Sequence, residues 1–164
     1  MSRVITIDGP AGVGKGTISK LLSHYLNAEI LNSGEIYRTI AYNIIKHKIN
    51  PNDISSIIEY VKSFDYKPLS SNKLYNKNID LVSSQISSIS ELRKLVVKIQ
   101  IDFTRLDGNA NKLLIAEGRD MGTAIFPKAK IKIFLWADSE IRAQRRYKQV
   151  KKTNKNRKFN TILE

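Results

Sequence analysis

The run Gly9-Pro10-Ala11-Gly12-Val13-Gly14-Lys15-Gly16-Thr17 has the residue types and spacing of a phosphate cradle. Its glycines let the backbone bend around an anion, successive N–H groups point inward, and Lys15 adds a mobile cation. A nucleoside triphosphate is the ligand such a loop usually holds. The run follows the pattern G-x-x-x-x-G-K-[ST] from Gly9 to Lys15 and departs at the eighth position, where Gly16 stands and the hydroxyl arrives one residue later at Thr17. Lys15 is therefore expected to reach the β- and γ-phosphates and Thr17 a more internal one. No protein group is expected to ligate Mg²⁺ directly; the ion would be held mainly through the nucleotide and water.

Three further polar runs have chemistry in common with this loop. They are Ser33-Gly34-Glu35-Ile36-Tyr37-Arg38, Gly118-Arg119-Asp120-Met121-Gly122, and the basic stretch carrying Arg142, Arg145 and Arg146. Each offers a guanidinium, whose planar fork suits a phosphate better than an ammonium does. Taken singly, the Arg-Asp pair reads as a surface ion pair and the basic stretch as a solvated helix face. The two histidines, His24 and His47, lie in no motif.

The elements that must position these groups alternate between strand and helix. Residues 3–8 read as a buried strand, and Ile18, Leu21, Leu22, Tyr25 and Leu26 fall at the spacing of one helix face. Residues 29–32 form a short second strand ending in Asn32-Ser33-Gly34, followed by helices at 35–46 and 53–62. Alternation at 64–67 and 73–76, with Ser70-Ser71-Asn72 as the turn, predicts a small antiparallel excursion. The serine-rich stretch 83–90 predicts short helical turns, and 91–106 a longer amphipathic helix ended by Asp107-Gly108-Asn109. Strands at 113–116 and 131–137 complete the pattern, and a basic helix begins near Asp138. Such alternation predicts an α/β fold with a mostly parallel sheet and ligands gathered at the carboxyl ends of its strands.

Composition narrows the classes. The 164 residues suffice for one domain with a sizeable core. With no cysteine, disulfides and thiolate metal sites are excluded. No stretch approaches about 18 consecutive apolar residues, and a strand begins within three residues of the start, so neither a membrane span nor a signal peptide is expected and a cytoplasmic location is. The net charge of +13 raises the possibility of a nucleic-acid binder. Its lysines are scattered, however, and the dense cluster is confined to 142–158, so compositional bias is favoured over polynucleotide binding.

In order and spacing, the cradle and the three arginine-bearing runs resemble bacterial cytidylate kinases of the nucleoside monophosphate kinase group, over nearly the whole chain. The resemblance implies a P-loop three-layer fold in a single kinase domain, with its core at 1–60 and 107–141. It also implies an inserted substrate-binding subdomain at about 61–106 and a lid at about 142–160. It implies ATP bound by Gly9 to Thr17, with Mg²⁺, and phosphoryl transfer to CMP and dCMP, the chain acting as a monomer without nucleic-acid or membrane partners. Ser33 and Arg38 would grip the monophosphate, Ser84 the cytosine edge, and Arg93 the base or phosphate. Arg119 and Asp120 would lie at the nucleoside and its phosphate, with Asp120 accepting from the sugar. Lys15, Arg145 and Asp120 would be the catalytic groups, Arg145 as the transition-state arginine.

Local departures from that family are Asn32 where aspartate is common and Glu35 where alanine is usual; Glu117 stands where aspartate or glutamate occurs. The larger one is length: the family's pattern continues beyond Glu164 with more arginines, a fifth strand and a closing helix. Without these, one sheet edge and the apolar face of the first helix are expected to be uncovered. An impaired kinase, a module that binds only ATP, and a basic RNA-binding protein are the alternatives to a working kinase.

Overall fold

A computed structural model describes residues 3–67, 71–105 and 112–153. In chain order its elements are β1 (Val4–Asp8), α1 (Lys15–Leu26), β2 (Glu29–Asn32), α2 (Ser33–Lys46), α3 (Ile54–Lys62), α4 (Ser71–Leu74), α5 (Lys77–Ser87), α6 (Ser90–Phe103), β3 (Leu114–Gly118), a single π-helical turn (Met121–Ile125), β4 (Ile131–Phe134) and α7 (Ser139–Thr153). They divide into two compact units, Met1–Leu31 with Asn111–Glu164, and Asn32–Ala110.

The first unit is built on a sheet of order β2-β3-β1-β4. β1 is central and pairs in parallel with both neighbours, as the alternation of strand and helix predicts. The register decides where ligands can go. Asp8 lies opposite Gly118 on one side and Phe134 on the other, so β1, β3 and β4 end level with one another. The loops that leave them, at 9–14, 119–120 and 135–138, therefore start side by side at the carboxyl edge. Ile5, Ile7, Ala28 and Ile115 form the buried cluster behind that edge, with Leu22, Leu113, Ile133 and Leu135 against it.

α1 forms where its apolar spacing predicts, but its only fully buried residue is Ser19. Leu21 and Tyr25 on the same helix are exposed, as are Phe134 and Trp136 at and beyond the end of the edge strand β4. No described helix is long and apolar enough to cross a membrane.

The second unit is helical throughout its described residues. Three of its helix starts have a local cause, while α6, which follows Ile89, has no side-chain cap. Asn32 accepts from the Glu35 N–H, Asp53 from the Ser56 N–H and Asn76 from the Ile79 N–H, so three Asx side chains cap α2, α3 and α5. Ile36, Ile40 and Ile44 at four-residue spacing form the buried stripe of α2, and Leu92, Val96 and Phe103 that of α6.

Two expectations are corrected here. The antiparallel excursion is absent among the described residues: Ser71–Leu74 is the short helix α4, and the Asn76 cap launches α5 where a second strand was expected. Alternating Leu and Tyr at 73–76 reflects burial of Leu74 and not a pleat. The serine-rich stretch is not a set of short turns either. Ser83 and Ser84 lie inside the 11-residue α5, whose Ile79 and Ile86, seven residues apart, are both buried. Ser33 and Gly34 belong to the first turn of α2, which starts two residues earlier than predicted. The predicted turn at 107–109 lies outside the described residues.

Gly122 sits in the π-helical turn against β1, where a Cβ would lie 2.6 Å from Thr6 Oγ1 and 3.2 Å from Asp8 Oδ2. Both neighbours are held on a buried strand and neither can yield cheaply. Gly122→Ala should therefore cost about 1 to 3 kcal/mol by overpacking, read as a fall in Tm in a thermal melt; an unchanged Tm would show that the turn has room.

Candidate functional site

In the first unit the phosphate loop leaves β1 at Asp8 and enters α1 at Lys15. Gly9 adopts φ 144°, and a Cβ there would fall 2.2 Å from the Leu135 carbonyl oxygen, so only glycine lets the loop pass beneath the chain leaving β4. Gly14, the N-cap of α1, offers no side-chain oxygen to the helix; the Thr17 N–H donates to the Gly14 carbonyl at 3.0 Å, and the Lys15 and Gly16 N–H groups ahead of it keep their capacity for an anion. Two cations lie on the loop's own oxygens. Lys15 Nζ donates to the carbonyls of Gly9 and Pro10 at 2.8 and 2.9 Å, and Arg145 Nη1 donates to that of Val13 at 2.9 Å. α7 thus brings Arg145 to the loop. Arg142 is used differently: its Nε donates to the Ala137 carbonyl just ahead of its own helix. The Arg146 side chain and residues 154–160 of the predicted lid lie outside the described residues.

Burial lowers the pKa of Lys15 below the ordinary lysine value. Glu117 opposes this as the strongest counter-charge, Arg119 adds to the lowering, and Asp8 raises it again. Lys15, Glu117, Arg119 and Asp8 are therefore near enough to feel one another, which draws Arg119 into the loop's neighbourhood. Arg119 and Asp120 are both exposed. The Asp120 carbonyl accepts from the Ala124 N–H at 2.8 Å and starts the π-helical turn.

Two carboxylates that the sequence did not single out organise this edge. Asp8, 7 % exposed, accepts from the Met121 and Gly122 N–H groups, one on each oxygen and each at 2.8 Å. It thereby fixes the backbone that carries Arg119 and Asp120 to the end of β1. Glu117 is not in a loop but is the fourth residue of β3. It is buried, accepts from the Ser19 hydroxyl at 2.5 Å, and has Oε2 3.8 Å from where a Cβ of Gly16 would be. The available signal was positional: each acid closes or nearly closes a buried strand, a place where an unpaired carboxylate is costly. Among the described residues no three His, Cys, Asp or Glu gather as a metal cage. The buried Glu117 carboxylate beside the loop and the Thr17 hydroxyl, on the same helix as Ser19, are oxygen donors of the kind that hold the waters of a hard divalent cation.

In the second unit, Ser33 and Arg38 lie on the first two turns of α2. The Ser33 hydroxyl accepts from Gln100 Nε2 at 2.9 Å, and Gln100 is almost fully buried on α6. Gln100 was hidden in the sequence because a lone glutamine in an amphipathic helix carries no signal. Arg38 Nη1 donates to the Leu74 carbonyl at 3.2 Å and forms an ion pair with Asp80 of α5, and its guanidinium lies 4.6 Å from the Tyr75 ring centroid. The Tyr75 hydroxyl donates to Glu35 at 3.3 Å. Burial, with Glu35 and then Tyr75 nearby, pushes the Tyr66 phenol up to about 12, so it stays protonated. Ser84 is exposed on α5, and Arg93 is exposed with its Nε donating to the Ser87 carbonyl. No hydrogen bond among the described residues joins either to Arg38. A groove of about 300 Å³ on the other side of α2, lined by Thr39, Asn43, Tyr60 and Phe64 among others, contains none of the predicted residues.

A phosphate loop between the central strand of a parallel sheet and the helix that follows it defines the class: a P-loop α/β nucleotide-binding protein. Residues 5–164 match the family model described as cytidylate kinase. The chain is 39 % identical over 170 residues to the cytidylate kinase of Mycoplasmopsis synoviae (strain 53), covering 97 % of this chain and 76 % of that protein. It is 38 % identical over 159 residues to that of Rickettsia africae (strain ESF-5), covering 97 % and 70 %, and 34 % identical over 174 residues to cytidylate kinase 2 of Haemophilus influenzae, covering 98 % and 76 %. A solved structure, that of TT1252 from Thermus thermophilus, aligns with 98 % of this chain and 76 % of its own at a TM-score of 0.45 and 16 % identity. The chain belongs to the cytidylate kinase family of phosphotransferases.

Asp8→Ala removes both acceptors for the Met121 and Gly122 N–H groups. It should cost about 1.5 to 3 kcal/mol as lost charge-assisted hydrogen bonds, at roughly 2 to 4 °C of Tm per kcal/mol for a chain of this size. A thermal melt checks it, and Asp8→Asn, which keeps one acceptor oxygen, should recover part of the loss.

Proposed function

We propose that this chain transfers the γ-phosphoryl group of ATP, delivered with Mg²⁺, to the phosphate of CMP, and that dCMP is a second acceptor. The observation that carries the reading is the phosphate loop, with Lys15 and Arg145 both donating to its backbone oxygens, in a chain matching the cytidylate kinase family from residue 5 to 164. Gly9, Ala11, Gly12, Val13, Gly14, Gly16 and Thr17 bind the ATP phosphates through backbone N–H groups and the Thr17 hydroxyl, and Pro10, which has no N–H, shapes the turn between them. Lys15 and Arg145 exchange their carbonyl partners for phosphate oxygens, a stronger charge-assisted bond. Glu117 and Thr17 hold waters of the Mg²⁺ ion, which supplies charge neutralisation when bound.

On the acceptor side Ser33 and Arg38 grip the monophosphate, Ser84 reads the cytosine edge, Arg93 contacts the base or phosphate, Arg119 faces the acceptor phosphate and Asp120 accepts from the sugar hydroxyl. The acceptor oxygen is already anionic, so no general base is required and catalysis is positioning plus charge neutralisation. That both histidines lie outside these groups agrees with such a mechanism. Residues 61–106 act as the substrate-binding insert and 142–160 as the lid that closes over ATP and excludes water.

A coupled assay of ADP release tests this. Turnover should require CMP or dCMP as well as Mg·ATP, and Lys15→Ala should lower kcat about 100-fold or more, as for loss of one transition-state donor. ATP-induced thermal stabilisation without any CMP-dependent turnover would reduce the chain to a nucleotide-binding module. Salt-sensitive RNA binding that survives Lys15→Ala would replace the reading altogether.

A further inference from the structure

Arg38 is held in a way that a simple bond between helices does not require. Three consecutive kinds of contact come from one short segment, residues 74–80. The Leu74 carbonyl and the Asp80 carboxylate both accept from Nη1, and the Tyr75 ring covers a face of the guanidinium. The Asn76 cap, by starting α5 between Tyr75 and Asp80, sets the spacing that lets one segment do all three. Arg38 is largely enclosed, with 18 % of its side chain exposed.

What is left over is specific. Nε and Nη2 donate to no described residue, and neither is among the buried atoms that lack a partner, so both meet solvent. They form the side-on edge of the guanidinium, the edge that takes two oxygens of a phosphate in parallel hydrogen bonds. Nη1, on the opposite side, is the nitrogen the chain has occupied.

We propose that residues 74–80 are a clip that presents the Nε–Nη2 edge of Arg38 to the acceptor monophosphate, with Asp80 as its positioning residue. The proposal rests on the reading of Arg38 as the phosphate grip. A free arginine loses rotamer freedom when it binds an anion, and one already fixed in its plane does not. The carboxylate also repels the arriving phosphate, so its charge is not what the clip supplies. Its oxygen is, as an acceptor fixed in space. Asparagine offers that oxygen without the charge, and alanine offers neither.

Isothermal titration of CMP into the wild type, Arg38→Ala, Asp80→Ala, Asp80→Asn and Tyr75→Leu separates the possibilities, with a thermal melt of each variant alongside. Asp80→Ala should weaken CMP binding about tenfold, the worth of one side chain's ordering. Asp80→Asn should return it to within about threefold of the wild type, or tighter. Tyr75→Leu, which leaves Asp80 in place, should weaken binding in the same direction and keeps the test open if Asp80→Ala folds poorly. With CMP saturating, kcat should be little changed in the Asp80 variants while KM follows the affinity. Equal affinity in Asp80→Ala and the wild type, while Arg38→Ala fails to bind, would mean the ion pair only joins α5 to α2, and the clip falls alone. Tighter binding by both Asp80 variants would make the carboxylate a competitor of the phosphate and overturn the proposal. If the wild type itself takes up no CMP, the functional reading falls and the clip with it.

Discussion

The carboxylate of Asp8 is the point on which the catalytic edge depends. Parallel pairing in register brings β1, β3 and β4 to an end together, but register alone fixes only where the loops begin. The segment after β3 carries Arg119 and Asp120, and nothing in the sheet's ladder dictates its path. Asp8 does so by accepting two backbone N–H groups beyond them, and the small size of Gly122 lets that backbone come close enough. One side chain at the end of the central strand thus sets the phosphate loop on one side and the arginine-bearing loop on the other. Glu117, one strand over and held by Ser19, is the second buried carboxylate at this edge.

How much of this was legible in the sequence depended on whether the controlling interaction was local. The strand, loop and helix at 4–26 were readable because glycine spacing and β-branched residues are local signals, and so were α2 and α3, capped by Asn32 and Asp53. The error at 64–76 came from a local signal overridden by its neighbours. Leu74 is apolar because it is buried in a helical unit, and the Asn76 cap, three residues before Ile79, outweighs two short alternations. Asp8, Glu117, Gln100 and Asp80 went unnoticed for a different reason. Their partners lie between 42 and 114 residues away in the chain, and no spacing rule reaches across such separations.

The charge of the chain takes on a clearer meaning once partners are assigned. A formal +13 spread over many lysines says little, since most of those side chains are solvated. The cations near the phosphate loop are distinguished by what they touch. Lys15 and Arg145 donate to neutral carbonyls, which satisfy their hydrogen bonds without cancelling their charge. Burial lowers the Lys15 pKa, and Glu117, followed by Asp8, opposes that lowering. The loop therefore combines cations whose hydrogen bonds go to neutral carbonyls with carboxylates that offset them only in part, a balance suited to an anion that brings several negative charges at once.

Arg38 is balanced in the opposite way, since a full carboxylate accompanies it. On the proposed function, the difference follows from what each site would hold. A triphosphate with its Mg²⁺ would be gripped by many backbone N–H groups, so the cations of the loop need contribute charge more than direction. A monophosphate is a smaller target, and a single guanidinium must find it in one orientation to leave the acceptor oxygen exposed for attack. Direction is then worth more than net charge, and an acidic partner that halves the attraction while fixing the plane is a reasonable exchange. On this view the ion pair between α2 and α5 and the carbonyl contacts of the phosphate loop are two solutions to one problem: holding a cation ready for phosphate without letting the protein satisfy it completely.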